Sequence, residues 1–167
     1  VPEATLLPLY DVDGEILDGW SSARLIYESL YRYSALLVGC GLGMSRQTRI
    51  LIDCLILSNM HLPPLVIDAD GLNIISKFYK WWDRLPEQSI LTPHVGEMSR
   101  LTGLSVEQIQ ADRLGVVKTY SKEWQKVVVL KGANTLVGEP NGSVWISGVA
   151  NPALASAGTG DVLSGII

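Results

Sequence analysis

Asp161 follows a run of small residues, and most positions from Ala153 through Gly160 would let a ligand lie against bare backbone. Gly158, Thr159 and Gly160 come immediately before it, and Val162, Leu163, Ile166 and Ile167 come after. That order predicts a glycine turn opening a helix. Free amides at such a turn, together with the helix dipole, make an anion site. A carboxylate placed there has two readings. It is a helix-start acid favoured by the dipole, or a general base held beside a phosphoryl group.

Other polar residues sit at the ends of short apolar runs. Gly39-Cys40-Gly41-Leu42-Gly43 follows Ala35 to Val38. Met44 stands where a dinucleotide fingerprint wants its third glycine, so the stretch is either a place of close ligand approach or a tight strand-to-helix turn. Asp68 and Asp70 follow Leu65 to Ile67. On extended backbone both would face one side. That suits a water-coordinated Mg²⁺ or a ribose hydroxyl; the other reading is an Asx turn. His94 and Glu97 share a turn after Pro93, behind Ile90-Leu91. Lys131, Gly132, Ala133, Asn134 and Thr135 follow Val127 to Leu130. Their amides could cradle nucleotide phosphates with Lys131 adding charge, or Lys131 could simply snorkel to water. The chain has no G-x-x-x-x-G-K, so it has no Walker loop.

The elements that must hold these residues follow from the same runs. Strand, loop and helix recur, with strands at 35–38, 65–67, 90–91 and 127–130. Such alternation predicts a parallel sheet flanked by helices, with ligands beyond the carboxyl ends of the strands. It places Gly41, Asp68, Asp70, His94, Glu97, Lys131 and Asp161 on one rim. Predicted helices run over 23–33 (capped by Ser21-Ser22), 46–58 (capped by Ser45), 72–80, and from a Ser105–Gln108 capping box to about Tyr120. Thr135 to Val137 and Val144 to Ile146 flank Asn141-Gly142, a hairpin signal. The first 19 residues read as a surface connection. Trp81, Trp82 and Trp124 are expected at core edges, and Trp145 is a candidate to approach a nucleotide base.

Composition narrows the classes. A chain of 167 residues with 47% hydrophobic residues is one domain's worth with a real core. A net charge of −4 argues against a nucleic-acid surface. No apolar run approaches the roughly 18 residues of a membrane span, and this stretch is expected to carry no signal peptide. Cys40 and Cys54 lie in no metal-type spacing and read as reduced, small apolar residues of a cytoplasmic protein.

Asn151-Pro-Ala-Leu-Ala-Ser-Ala-Gly-Thr-Gly-Asp-Val-Leu-Ser-Gly165 resembles the closing motif of the NAD(P)H-hydrate dehydratases, a branch of the ribokinase-like superfamily. Gly39 to Gly43, Val66 to Asn73, Thr92-Pro-His-Val-Gly-Glu97 and Leu130 to Thr135 resemble that family in the same order. Cys40 departs from its usual Pro, and Ala157 from a common Gly; both are small. The resemblance implies a three-layer α/β/α sandwich with a mostly parallel sheet, here one partial domain over 1–167 cut at both ends. It implies dehydration of NAD(P)H hydrate driven by ADP or ATP with Mg²⁺. Asp161 would be the base and also touch substrate. Lys131 to Thr135 with Gly158, Thr159 and Gly160 would bind nucleotide. Gly41, Gly43 and His94 would bind the hydrate, and Glu97 would order Mg²⁺ through water. A homo-oligomer, and an NAD(P)H-hydrate epimerase domain or partner, are expected as well. Two other functions stay open: a kinase of hydroxymethylpyrimidine or hydroxyethylthiazole type, and a nucleotide-binding module without turnover.

Overall fold

The structure is a computed structural model and describes residues 4–9, 11–12, 15–16, 18–58, 61–151, 153 and 156–167. A six-stranded sheet carries the order β3-β4-β5-β6-β7-β8. Its strands are β3 (Leu36–Val38), β4 (Leu65–Ile67), β5 (Ser89–Leu91), β6 (Val127–Leu130), β7 (Leu136–Gly138) and β8 (Val144–Ile146). β3 to β6 run parallel; β6-β7 and β7-β8 pair antiparallel. Helices lie on both sides of the sheet. A further two-residue pair, β1 (Asp11–Val12) and β2 (Glu15–Ile16), occupies the stretch expected to be a plain connection.

The apolar runs of β4, β5 and β6 are largely enclosed: Leu65, Ile67, Leu91, Val128 and Leu130 are all buried, whereas in β3 Leu37 is 40% exposed. Continuous apolar strands covered by helices are the mark of parallel sheet. Trp81 and Trp124 are core residues rather than edge covers, at 2% and 1% exposure, with ring centroids 4.8 Å apart. Trp145 is exposed, and its indole donates to Glu139 at 2.7 Å.

Several helix boundaries differ from expectation, each through a cap. α1 (Gly19–Ser29) starts before Ser21-Ser22, because the Asp18 carboxylate accepts the Trp20 amide at 3.2 Å. Ser22 is thereby buried. α2 (Arg46–Leu55) is capped by Ser45 as expected. α3 (Ala69–Ile75) starts three residues early because Asp68 accepts the Ala69 amide. It stops short of Lys80, which is left-handed at φ 48° and leads into a 3₁₀ turn over Trp81–Arg84. α4 (Val95–Thr102) stands where only a turn was expected. The expected single helix from Ser105 is two, α5 (Val106–Ala111) and α6 (Arg113–Trp124). Asp112 breaks it at φ −145°, ψ 66° and caps the second half through the Gly115 amide. α7 (Thr159–Ile166) closes the described chain.

Candidate active site

The loops after β3, β4, β5 and β6 meet the start of α7 at the carboxyl ends of the parallel strands. Gly39 makes the first junction. Its φ is 131°, and a Cβ there would lie 1.7 Å from the Asp68 carbonyl, so the β3 loop crosses the β4 loop backbone on backbone. Gly41 and Gly43 also have positive φ, 66° and 76°, and face open space. The Gly43 amide donates to Asp70 at 2.8 Å.

Asp68 and Asp70 do not share a side. Ala69 between them is left-handed at φ 48°, which breaks the extended path that would have aligned them. Asp70 turns to the glycine loop, while Asp68 turns inward. The Lys131 ammonium donates to Asp68 Oδ1 at 2.6 Å, and Ser164 Oγ lies 2.7 Å from Oδ2. Ser164 has one proton and a second acceptor in reach, the Gly160 carbonyl at 3.0 Å; the charged oxygen is the nearer and stronger acceptor. Burial pushes the Asp68 carboxyl up, but the hydrogen bonds from Lys131 and Ser164, the Lys131 charge and the Ala69 amide together hold it below the ordinary range.

His94 and Glu97 form a capping box. Nδ1 of His94 accepts the amides of Gly96 and Glu97 at 2.9 and 3.3 Å. Glu97 Oε2 in turn accepts the His94 amide at 2.8 Å. An Nδ1 that accepts leaves the neutral ring's proton on Nε2. Nε2 lies 3.4 Å from Glu97 Oε1, on a side chain 53% exposed. Glu97 is 4% exposed, and its Oε2 lies 3.8 Å from the Lys131 ammonium. A carboxylate so enclosed does not fit direct coordination of Mg²⁺; only water could relay it.

α7 begins at Gly158, left-handed at φ 88°, and no side chain caps it. Asp161 is exposed in its first turn. A Cβ at Gly160 would lie 3.4 Å from the Lys131 ammonium, so α7 starts against the Lys131–Asp68 pair. Sγ of Cys40 and one carboxylate oxygen each of Asp68 and Asp161 lie within 4.8 Å of one another. Burial, a hydrogen bond to Asp161 and the charges of Asp161 and Asp68 push the Cys40 thiol up to about 11, against the pull of Lys131. A thiol kept protonated is no ligand for Mg²⁺, which takes oxygen. Cys40 is thus a polar neighbour of the two acids, more than a small apolar filler.

Around β6, Lys131 donates its amide to the Pro93 carbonyl at 2.8 Å. Gly132 has φ 148° and Asn134 φ 53°, so the loop turns sharply outward, and Ala133 and Asn134 are exposed. Thr135 closes the turn onto the Gly132 carbonyl at 3.1 Å. The structure therefore brings Asp68, Glu97, Lys131, Gly160 and Asp161 together and sets Gly41, Gly43 and Asp70 beside them. Of the closing stretch, Pro152, Leu154 and Ala155 lie outside the described residues. Sequence reasoning assigned no role to Ser164 or Arg113. Ser164 stood inside the quoted closing stretch; Arg113 carried no signal.

Residues 4–167 match the NAD(P)H-hydrate dehydratase family. A bifunctional NAD(P)H-hydrate repair enzyme of Moorella thermoacetica is 41% identical over 142 residues, covering 85% of this chain and 26% of that protein. An ADP-dependent (S)-NAD(P)H-hydrate dehydratase of Neisseria meningitidis is 40% identical, covering 80% of this chain and 46% of its own. The structure of the Bacillus subtilis ADP/ATP-dependent NAD(P)H-hydrate dehydratase, co-crystallized with ATP/Mg²⁺, superposes with a TM-score of 0.65 at 34% identity, over 80% of this chain and 45% of that one. The chain thus spans about a quarter to a half of the length of these relatives. By this match over residues 4–167, and by the ribokinase-like sheet and rim just described, the chain belongs to the NAD(P)H-hydrate dehydratase family.

Proposed function

We propose that this chain supplies the nucleotide-binding and catalytic rim of a dehydratase that uses ADP or ATP to return hydrated NADH or NADPH to NADH or NADPH. One observation supports it most: α7 opens at the left-handed Gly158 with no side-chain cap, and Asp161 stands in its first turn. The reduced nicotinamide ring cannot readily expel hydroxide, so the hydroxyl must first become a better leaving group. Asp161 takes the hydroxyl proton while that oxygen attacks the terminal phosphorus of ADP, and AMP leaves. With ATP the same step releases ADP. The glycine turn that opens α7, formed by Gly158, Thr159 and Gly160, holds the charge spread over the transferring phosphoryl group, and each well-placed donor is worth roughly 3 kcal/mol. The ring nitrogen then expels inorganic phosphate, and loss of a ring proton restores the dihydropyridine. Lys131, Gly132, Ala133, Asn134 and Thr135 hold the nucleotide phosphates. Gly41, Gly43 and the exposed ring of His94 meet the hydrate. Mg²⁺ carried on the phosphates would neutralise part of their charge, with Glu97 and Asp161 as the acids that could reach it through water.

The 167 residues act in this reading as one domain, in the cytoplasm, as a homo-oligomer. An epimerase activity on the same or a partner chain accords with the relatives named bifunctional. No described helix is long and apolar enough to cross a membrane. The test is recovery of NADH absorbance from its hydrate with ADP and Mg²⁺, alongside assay of released phosphate. A stable phosphorylated product with no absorbance recovery would support the kinase reading instead.

A further inference from the structure

Arg113 opens α6, 20 residues before Ala133, and its guanidinium reaches the loop after β6. Nη1 donates to the Ala133 carbonyl at 2.6 Å, and Nη2 reaches the Leu130 carbonyl at 3.4 Å. The two acceptors bracket Lys131 and Gly132. A Cβ at Gly132 would lie 3.0 Å from Nη2, so the absence of a side chain there lets the guanidinium lie close beneath the loop.

This grip has a geometric consequence. In a trans peptide the C=O and the following N–H point opposite ways. Leu130 turns its carbonyl to Arg113, and the Lys131 amide accordingly points away, to the Pro93 carbonyl. Ala133 turns its carbonyl to Arg113, so the Asn134 amide points away too, on a loop whose residues are exposed. The charge itself has no acidic partner among the described residues. Neighbouring Asp112 gives its carboxylate to the Gly115 amide at 2.8 Å, and Nε of Arg113 is buried with no hydrogen-bond partner among the described residues.

We propose that Arg113 is a positioning residue of the phosphate loop: it holds the Leu130 and Ala133 carbonyls so that the Asn134 amide faces the nucleotide, and it keeps an uncompensated positive charge behind that amide. The proposal rests on the nucleotide reading above. It predicts a contribution specific to phosphate rather than to the nucleoside.

The experiment is calorimetric titration of ADP and of adenosine into the wild-type protein, Arg113→Gln and Arg113→Lys. For Arg113→Gln, ADP affinity should fall by about tenfold or more, with adenosine affinity unchanged, because a unit charge at short range acts only on a charged ligand. Arg113→Lys keeps the charge without the planar fork and should recover part of the loss. Equal losses for ADP and adenosine, or a Gln variant that binds ADP like the wild type, would overturn the proposal. If Arg113→Gln does not fold, Arg113→Lys decides on the same criterion, a loss confined to ADP. A wild-type protein that binds neither ADP nor ATP would instead overturn the nucleotide reading on which this rests.

Discussion

Two helices begin on the same rim and treat their first turns in opposite ways. α4 closes itself: His94 takes two of its amides, and Glu97 takes the amide of His94. α7 begins at a left-handed glycine with no side-chain cap. Every other helix from α1 to α6 has a side chain on its first amides. Lys131 stands between the two ends, with Glu97 Oε2 at 3.8 Å and Gly160 against its ammonium. The dipole is the same in kind at both termini. What differs is whether a side chain has already used it. A side-chain cap stabilises the fold, whereas a terminus without one is a place where a ligand can supply the acceptor instead.

The largest effect should come from the open end. Asp161→Asn keeps the size of the side chain and removes its basicity. Turnover should fall by about 10²–10⁴, the usual worth of a positioned general base. ADP binding should persist or tighten slightly, since a negative charge beside the phosphates is gone. Recovery of NADH absorbance, with calorimetric ADP binding on the same protein, reads both. Near-normal turnover would leave Asp161 a helix-start acid, because Asn suits that place equally.

Closing the open end artificially is the next largest. A side chain at Gly158 has no atom within 4 Å to meet, although its φ of 88° is unfavourable. Gly158→Asp would put a capping carboxylate on the α7 amides at a backbone cost of about 1–2 kcal/mol. It should weaken ADP binding by roughly tenfold or more, by taking the donors and repelling phosphate. ADP affinity unchanged by Gly158→Asp would mean that the phosphates bind elsewhere.

The contrast also shows what was legible in the sequence. β3 to β6 were, because buried parallel strands are apolar runs and each run ended at glycine or a polar residue. The rim followed from topology alone. α4 was not, because its cap is a histidine: a capping box is recognised by Ser or Thr at the first place, and His94 supplies the same acceptor only through its ring nitrogen. The split of Asp68 from Asp70 was hidden in the φ of Ala69, a residue whose type does not announce left-handed backbone. The break between α5 and α6 was hidden likewise, since apolar periodicity runs on through Asp112. Ser164 and Arg113 depend on contacts 96 and 20 residues away, which local pattern does not record.

Opening the closed end should cost stability and little else, unless His94 also meets substrate. His94→Ala should lower stability by about 1 kcal/mol, the usual worth of an N-cap. For a chain of this size that shifts the thermal midpoint by roughly 2–4 °C. His94→Asn supplies a fresh cap and should restore most of it. The two variants separate cap from contact. If both raise the KM for the hydrate while only Ala lowers the midpoint, the exposed ring of His94 touches substrate. If KM stays constant in both, His94 is a cap alone.

The smallest effect is a pH dependence, and it tests whether the Lys131–Asp68 pair under α7 is as tight as its geometry implies. The Asp68 carboxyl ordinarily titrates at 3.8; burial raises it, and the hydrogen bonds from Lys131 and Ser164, with the Lys131 charge and the Ala69 amide, together lower it further than burial raises it. A carboxyl held lower in the folded state than in the unfolded chain binds protons less readily when folded. Its contribution is therefore complete above the unfolded value and is lost as pH falls through the folded one. Asp68→Asn has nothing to titrate there. The stability difference between wild type and Asp68→Asn, from denaturant unfolding, should stay level from neutral pH down to about 5 and shrink below about 4. A gap that is constant or widens on acidification would mean that the folded state does not hold this carboxylate charged. In that case Lys131 would be free to turn to phosphate without first breaking an ion pair.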